Sequence, residues 1–471
     1  MSTAPISQIT TATIDFDENR YKTILWLAMP TVLAMLSQSF VNEIDVFFFA
    51  HLPYPEGSNG QAALFPSLVI VWLFGGSLSA LSVGTQALTA RRYAEGDRPG
   101  AGAVLTNATF FCIAMGAVLS LVGYLALPLI LGFMLKNREV LELATAYSRW
   151  RLLGIISMAT TMAVKSFFDG IGKTYVHLVA ALVMNVFNVL FCWMFIFGKL
   201  GASHMGPSGA GLGAFLATWI GLLIMLLYTR EIRSEFAIFR RVHLSVRLTW
   251  DILKLSIPAA LANVIMMGGF ALFSKVVGKL DETEAVGAVT EAVNGAATTD
   301  IVAILKLTFT ACIAFGTATA TLVGQSMGAR RPNDAAAFGW ASVRLGLVLF
   351  GLIGLCEGVL FTPQLLHFLS HSHAVRQAAM APMRMMGLMT PIIAVAMILS
   401  EALFGAGNPK FVALAQFLLV FFCLLPGAYV LGIVLDLGLR GIWMAACIYV
   451  SLAAVVMTLK FRAGGWKKIC L

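Results

Sequence analysis

The feature that most constrains this chain is a series of long apolar stretches between residues 24 and 460. A membrane-spanning helix needs about 20 mostly apolar residues. Only 12% of the 471 residues are charged, about half the fraction that is typical of soluble domains. The stretches are too long for barrel strands, so we predict an all-α polytopic membrane protein. Its twelve predicted transmembrane helices are residues 24–50, 61–90, 101–135, 150–168, 176–198, 210–229, 252–278, 298–326, 335–362, 380–403, 411–434 and 441–459.

The basic residues are distributed unevenly between the two predicted sides of the membrane. If the N-terminus is cytoplasmic, 20 Lys and Arg residues fall at cytoplasmic ends and loops, against 10 on the other side. This bias orients membrane proteins, and it accounts for the net charge of +9 without a nucleic-acid partner. We therefore predict a multi-pass protein of the cell (inner or plasma) membrane with both termini in the cytoplasm.

Three pairs of similar segments divide the spans into two sets of six. LWLAMPTVLA (25–34) parallels LKLSIPAALA (253–262), TARRYAEGDRPGA (89–101) parallels VGQSMGARRPNDA (323–335), and FFDGIGKT (167–174) parallels LFGAGNP (403–409). The offsets of 228, 234 and 235 residues follow one order, which indicates an internal duplication. The first pair aligns Pro30 with Pro258, and we predict that both act as helix hinges or kinks.

Because six spans is an even number, both halves enter the membrane from the same side. We predict two six-helix lobes related by a pseudo-two-fold axis along the membrane normal, as in some secondary transporters. A static scaffold or a receptor could be duplicated in the same way. The predicted segments are a cytoplasmic tail (1–23), an N-terminal lobe (24–230), a cytoplasmic linker (231–250), a C-terminal lobe (251–460) and a second cytoplasmic tail (461–471).

Several segments resemble the MATE (multidrug and toxic compound extrusion) family in their order and spacing. IDVFFFAHL (44–52) is similar to the acidic first-span motif of the family, and GTATATLVGQSMGARRPNDA (316–335) is similar to its pattern after the eighth span. FFDGIGKT and LFGAGNP resemble the glycine turns of the family, although Asp169 and Phe404 stand where arginine is common. NVFNVLFCWMFIFG (185–198) and GAFLAT (213–218) match the ends of the fifth and sixth spans.

This resemblance covers nearly the whole chain. It implies secondary active efflux by alternating access, in which organic, mostly cationic or amphipathic compounds are exchanged for H⁺ or Na⁺. No cofactor is implied beyond the coupling ion. We expect a monomer whose partners are a small-molecule substrate and membrane lipid.

Asp45 is the acid that the sequence favours for ion coupling. Gln38, Asn42 and Asp45 are spaced i, i+4 and i+7, so they share one stripe of a helix, whereas Glu43 points about 200° away from Asp45. A polar stripe on an apolar helix should face the bundle interior. A carboxylate there changes charge when it takes up a proton or holds a cation. The alternative is that Asp45 only hydrogen-bonds neighbouring helices.

By resemblance, the partners of Asp45 are Asn188 and Thr218, with Asn185 one turn from Asn188. Their oxygens can coordinate Na⁺ or form a hydrogen-bond network that responds to a proton. Many family members carry an acid four residues after the asparagine, where this chain has Cys192. A single carboxylate weakens a hard-cation site and favours H⁺, although this branch could couple differently. The two asparagines could also serve only to join helices.

Ionisable residues in the second half raise the question of substrate. Lys306, Arg344 and Glu401 fall deep in predicted spans, where an isolated charge is costly. We predict a substrate cleft formed by Gln38, Lys306 and Glu401, and a structural ion-pair network is an open alternative. A lysine in the cleft would repel cationic compounds. It keeps open a second function, a flippase for lipid-linked oligosaccharide or another amphipathic anion of the wider superfamily.

The motifs do not favour catalysis. The sequence shows no Ser/His/Asp cluster, no paired catalytic aspartates and no P-loop. His371 and His373 fall in a predicted outer loop without metal-site spacing or a companion acid, so we predict no metal site. The seven cysteines lack CxxC spacing and are predicted to be apolar filler. We therefore predict a transporter and not an enzyme.

Overall fold

The computed structural model describes residues 19–42, 44–53, 55–76, 78, 81–135, 137–238, 244–284, 293–370 and 372–469. Within these ranges all regular structure is helical and no strand is present. This confirms the all-α prediction. An all-helical fold is expected in a bilayer because no water is present to bond the backbone, and a helix satisfies its backbone hydrogen bonds within one segment.

The helices of the first half are α1 (Arg20–Asn42), α2 (Ile44–Ala50), α3 (Glu56–Val71), α4 (Leu81–Ala94), α5 (Arg98–Met134), α6 (Arg138–Leu153), α7 (Ile155–Gly170), α8 (Tyr175–Phe197) and α9 (Pro207–Ile232). Those of the second half are α10 (Val246–Glu284), α11 (Val293–Gly328), α12 (Pro332–Leu355), α13 (Thr362–Leu369), α14 (His373–Gly405), α15 (Pro409–Leu419), α16 (Leu425–Tyr429) and α17 (Gly438–Ala463). Short π-helical segments lie at Trp72–Gly76, Cys356–Leu360, Val420–Leu424 and Val430–Val434, and a 3₁₀ turn lies at Gly465–Lys468.

Eleven helical stretches of the described chain are long and apolar enough to cross a membrane. The pair α6 and α7, bent by 41° at their junction, makes a twelfth span when it is counted as one. This agrees with the twelve predicted spans. The fourth span nevertheless begins earlier than predicted, at Arg138 instead of residue 150, because the charged residues of REVLELATAYSRWRLL (138–153) lower its hydropathy.

The two glycine turns have the same backbone conformation. Gly170 and Gly405 end α7 and α14, and two residues later Gly172 and Gly407 have left-handed φ angles of 81° and 83°. This region favours glycine because it has no Cβ. A Cβ on Gly405 would also lie 2.2 Å from the carbonyl oxygen of Ala320. Both segments are therefore tight turns that depend on glycine.

The chain forms two compact units. One contains residues 29–257, and the other contains the start of α1 up to Ala28 together with the chain from Pro258 onwards. The borders fall beside Pro30 in α1 and at Pro258 in α10. The connection between α9 and α10 thus belongs to the first unit, whereas the sequence-based division lay within residues 231–250. A hinge role for the two prolines stays a prediction.

Each unit has apolar cores of its own. In the first unit, one buried cluster includes Leu152, and another brings the rings of Phe167 and Phe236 to 5.3 Å at an interplanar angle of 82°. In the second unit, Phe273 and Trp443 pack edge to face at 5.4 Å within a buried cluster. Such pairs combine large apolar burial with specific geometry, so they fix how the helices rotate against one another.

Candidate ion-coupling site

Asp45 is in the first turn of α2, where two other helices approach its carboxylate. The Tyr147 hydroxyl, from α6, donates a hydrogen bond of 3.0 Å to Oδ2 of Asp45. The Cys192 thiol, from α8, lies 3.7 Å from Oδ1. Tyr147 is 2% exposed and packs edge to face on Phe49, which fixes the position of its hydroxyl. Both carboxylate oxygens therefore face a donor inside the first unit.

A positive charge lies beside this carboxylate. Arg151 follows Tyr147 by one turn on α6, and its guanidinium carbon lies 5.9 Å from the centroid of the Tyr147 ring. The guanidinium interacts electrostatically with Asp45 as well as with Tyr147. An opposite charge stabilises an ionised carboxylate in a low-dielectric environment. The site thus combines one acid and one permanent cation.

The thiol of Cys192 connects Asp45 to one of the predicted asparagines. Its Sγ lies 3.5 Å from Oδ1 of Asn188 and 3.7 Å from the carbonyl oxygen of Ala210. A thiol has one proton, so it can donate to only one of these acceptors or to Asp45 at a time. The thiol is therefore a donor shared between Asp45 and Asn188. The structure brings together Asp45, Cys192 and Asn188.

Asn185 and Thr218 lie in separate contacts. Nδ2 of Asn185 donates to Oγ of Ser37, from α1, at 3.0 Å. Oγ1 of Thr218, from α9, lies 2.9 Å from Oγ of Ser157, from α7. No hydrogen bond between described residues joins either side chain to Asp45. The predicted coupling residues therefore form one group around Asp45, with Cys192 and Asn188. Asn185 and Thr218 each lie in a separate interhelical contact.

Gln38 is partly buried and lines a cavity of about 40 Å³ in the first unit. Thr218 forms part of the same wall. The side chains of Asn42 and Glu43 lie outside the described part of the chain. The predicted polar stripe consists of Gln38, Asn42 and Asp45. The orientation of Asn42 within it therefore stays a prediction.

Of the residues predicted for a substrate cleft, Glu401 and Lys306 belong to the second unit and do not line one cavity there. Glu401 lines a cavity of about 100 Å³ within the second unit, together with Asn263, Gln416 and Tyr449 among other residues. Lys306 is exposed on α11 and does not line this cavity. Arg344 is likewise exposed, on α12. Position along a span does not determine which face of the helix a residue occupies, and both basic side chains are exposed.

A further, partly buried acid lies in the second unit. Glu357 is in the π-helical segment Cys356–Leu360, and its Oε1 accepts a hydrogen bond of 2.5 Å from the Thr308 hydroxyl. Its Oε2 is buried without a hydrogen-bond partner among the described residues. A carboxyl group in this environment can take up a proton. No spacing in the sequence distinguished Glu357 from the other acids of this half.

Tyr147 and Arg151 are the site residues that sequence reasoning missed. The predicted fourth span began at residue 150, which placed Tyr147 outside the membrane. The signal that could have identified them is their i, i+4 spacing on an amphipathic segment, with an arginine that needs a counterion within the membrane.

Known proteins resemble this chain both in sequence and in fold. The sequence profile described as MatE matches residues 30–194 and 258–430. The probable multidrug resistance protein NorM of Thermotoga maritima is 23% identical over 454 residues, which cover 95% of this chain and 93% of that protein. The multidrug resistance protein PmpM of Pseudomonas aeruginosa is 25% identical over 347 residues, covering 70% of this chain and 68% of that protein. An outward-facing multidrug resistance MATE family transporter of the MOP superfamily superposes with a TM-score of 0.84 at 20% identity, covering 95% of this chain and 96% of that structure.

Proposed function

The chain belongs to the MatE family, and from this premise we propose that it is a secondary active efflux transporter. It exports organic, mostly cationic or amphipathic compounds in exchange for an entering ion, by alternating access. The names of its relatives, which are multidrug resistance proteins, support this substrate class. In this proposal the chain acts as a monomer in the cell membrane with both termini in the cytoplasm, in accordance with its charge distribution.

The observation that carries the proposal is the position of Asp45 between donors from two other helices. When Asp45 is ionised, it accepts from the Tyr147 hydroxyl and attracts the Arg151 guanidinium. When it is protonated, the attraction is lost and the hydrogen bond from Tyr147 weakens, because hydrogen bonds to charged acceptors are the stronger ones. One proton therefore changes the forces that hold α2 and α6 together, which is what coupling to a conformational change requires.

The chemistry of the site favours H⁺ over Na⁺ as the coupling ion. Na⁺ is a hard cation that is best held by several oxygen ligands, and the Cys192 thiol is a soft donor. The Arg151 guanidinium also opposes the entry of a metal cation beside Asp45. A proton needs only the carboxylate oxygen. We therefore propose H⁺ exchange at Asp45.

The alternative function, a flippase for an anionic lipid-linked substrate, is not favoured. Such a protein is expected to have a strongly cationic cleft. In this chain, Lys306 lies outside the cavity of the second unit, and the acidic residue Glu401 lies in its wall. An acidic wall suits an organic cation and repels a pyrophosphate.

The test is transport in proteoliposomes under a pH gradient or a Na⁺ gradient, each imposed alone. Wild-type protein should move a fluorescent organic cation under the pH gradient and not under the Na⁺ gradient. Asp45→Asn should lose this transport, whereas the exposed control Asp251→Asn should retain it. If Asp45→Asn transports the organic cation at the wild-type rate under both gradients, the proposal is refuted. Movement of a polyprenyl-linked sugar without cation transport would favour the flippase.

A further inference from the structure

A row of polar residues runs along one face of α7. Ser157, Thr161, Lys165 and Asp169 are spaced at intervals of four residues, so they lie above one another on the helix. Ser157 and Asp169 have 0% exposure, and Thr161 is partly buried. At one end of the row, Ser157 contacts Thr218 at 2.9 Å. The row ends at the FFDGIGKT turn, which the charge distribution predicts to be cytoplasmic.

The cytoplasmic end of this row contains a buried ion pair and a buried histidine. Lys165 Nζ donates to Oδ2 of Asp169 at 2.7 Å, with side-chain exposures of 10% and 0%. His177, near the start of α8, is 5% exposed and interacts electrostatically with Lys165. Its Nδ1 is buried and has no hydrogen-bond partner within the described ranges. Lys165, Asp169 and His177 are thus three buried titratable groups at this end of the first unit.

The cavity of about 40 Å³ lies along the middle of the row, at Thr161 and Lys165. Its wall contains Gln38 and Thr218 as well as Thr161, Lys165 and His177. Oγ1 of Thr161, like Nδ1 of His177, is buried without a partner among the described residues. A water molecule needs about 10–15 Å³ of such space and two to four polar partners. The cavity therefore has room for about three waters, with polar groups to bind them.

One helix also links this cavity to the coupling site. His177 and Cys192 both belong to α8 and are separated by 15 residues, which is about 22 Å along a helix. Cys192 contacts Asp45, and His177 lies at the opposite end of the same helix. The distance is too long for direct transfer of a proton and requires intermediate groups. The hydroxyl groups of the α7 row and the cavity waters supply such groups.

We propose that this cavity is the cytoplasmic half of a proton-transfer path and that His177 is the residue that passes the proton to the cytoplasm. The proposal rests on the proposed H⁺ coupling at Asp45. A proton that has left Asp45 moves over the Ser157–Thr218 hydroxyl pair and the cavity waters, each of which accepts one proton and donates another. No hydrogen bond between described residues joins Asp45 to this pair, so the first step of the path crosses a gap. Nδ1 of His177 accepts a proton, and the second ring nitrogen releases one to cytoplasmic water. Asp169 neutralises Lys165 and so limits the repulsion of the imidazolium.

The experiment separates proton movement from substrate movement in proteoliposomes of the full chain. Internal pyranine reports protons that move when an ethidium gradient is imposed. Ethidium–ethidium exchange at equal pH on both sides reports the substrate cycle, which needs no net proton transfer. His177→Phe should slow proton movement by about tenfold or more, because a positioned proton-transfer group contributes about 10²–10⁴-fold in rate. Ethidium exchange should stay within about twofold of wild type, since His177 touches no substrate in this mechanism.

Matched control variants distinguish a specific loss of proton movement from a general loss of structure. Thr161→Val should also slow proton movement selectively, whereas Thr160→Val should not, since the Thr160 hydroxyl is bonded to the Ile156 carbonyl and does not line the cavity. The inference is overturned if His177→Phe moves protons at the wild-type rate. It is also overturned if His177→Phe and Thr161→Val lose proton movement and ethidium exchange in parallel. If Asp45→Asn is inactive while His177→Phe moves protons normally, only this inference fails. If Asp45→Asn moves protons at the wild-type rate, the proposed function itself fails.

Discussion

Replacing Lys165 by methionine should destabilise the first unit by several kcal/mol. The ion pair that Lys165 forms with Asp169 is short, at 2.7 Å, and its side chains are 10% and 0% exposed. Removing one partner leaves an uncompensated buried charge, which costs about 3–5 kcal/mol, whereas removing both charges is often close to neutral. For a unit of this size each kcal/mol lowers the melting temperature by about 2–4 °C, so Lys165→Met should lower it by about 6–20 °C. The double variant Lys165→Met/Asp169→Asn should recover most of this loss.

The assay is thermal unfolding of the purified protein in detergent, followed by intrinsic fluorescence or by loss of the monodisperse fraction. Lys254→Met is the matched control because Lys254 pairs with Asp251 at 3.1 Å in the same unit, with side chains 55% and 42% exposed. An exposed pair contributes at most about 1 kcal/mol, so this variant should shift the midpoint by less than about 4 °C. Equal shifts for Lys165→Met and Lys254→Met, or a double variant no more stable than the single one, would refute the reasoning.

Two further predictions concern packing and ion choice. Gly102→Ala should lower stability by about 1–3 kcal/mol, since its Cβ would lie 1.9 Å from the Phe236 carbonyl oxygen. Gly132→Ala, with no atom within 4 Å of its Cβ, should not destabilise the protein, and equal melting temperatures for both variants would contradict this. Cys192→Asp places a second carboxylate beside Asp45 and should make transport in proteoliposomes responsive to a Na⁺ gradient. A variant driven only by the pH gradient would argue against the role assigned to the thiol.

The transmembrane organisation could be predicted from the sequence because it depends on local properties. The length and apolar composition of each stretch are sufficient to identify a helix that spans a bilayer. The glycine turns could be predicted because left-handed φ angles at Gly172 and Gly407 depend on the residue type itself. Asp45 could be identified because a carboxylate within an apolar helix raises the free energy of membrane insertion, so such residues are rare. The start of the fourth span was wrong because charged residues in α6 are stabilised by tertiary contacts that hydropathy does not include.

The contacts of the Asp45 carboxylate were decided by the tertiary structure, although the resemblance had already indicated Cys192 and Asn188 at this site. Tyr147 and Cys192 are 102 and 147 residues away from it in sequence, and they reach its carboxylate because of how α6 and α8 rotate and cross. The same applies to His177 and Lys165, whose meeting at one cavity depends on two helices that face each other across a turn. The sequence determines which side chains lie on each helix and at what height in the membrane. Close packing of the whole unit decides which of those side chains face one another.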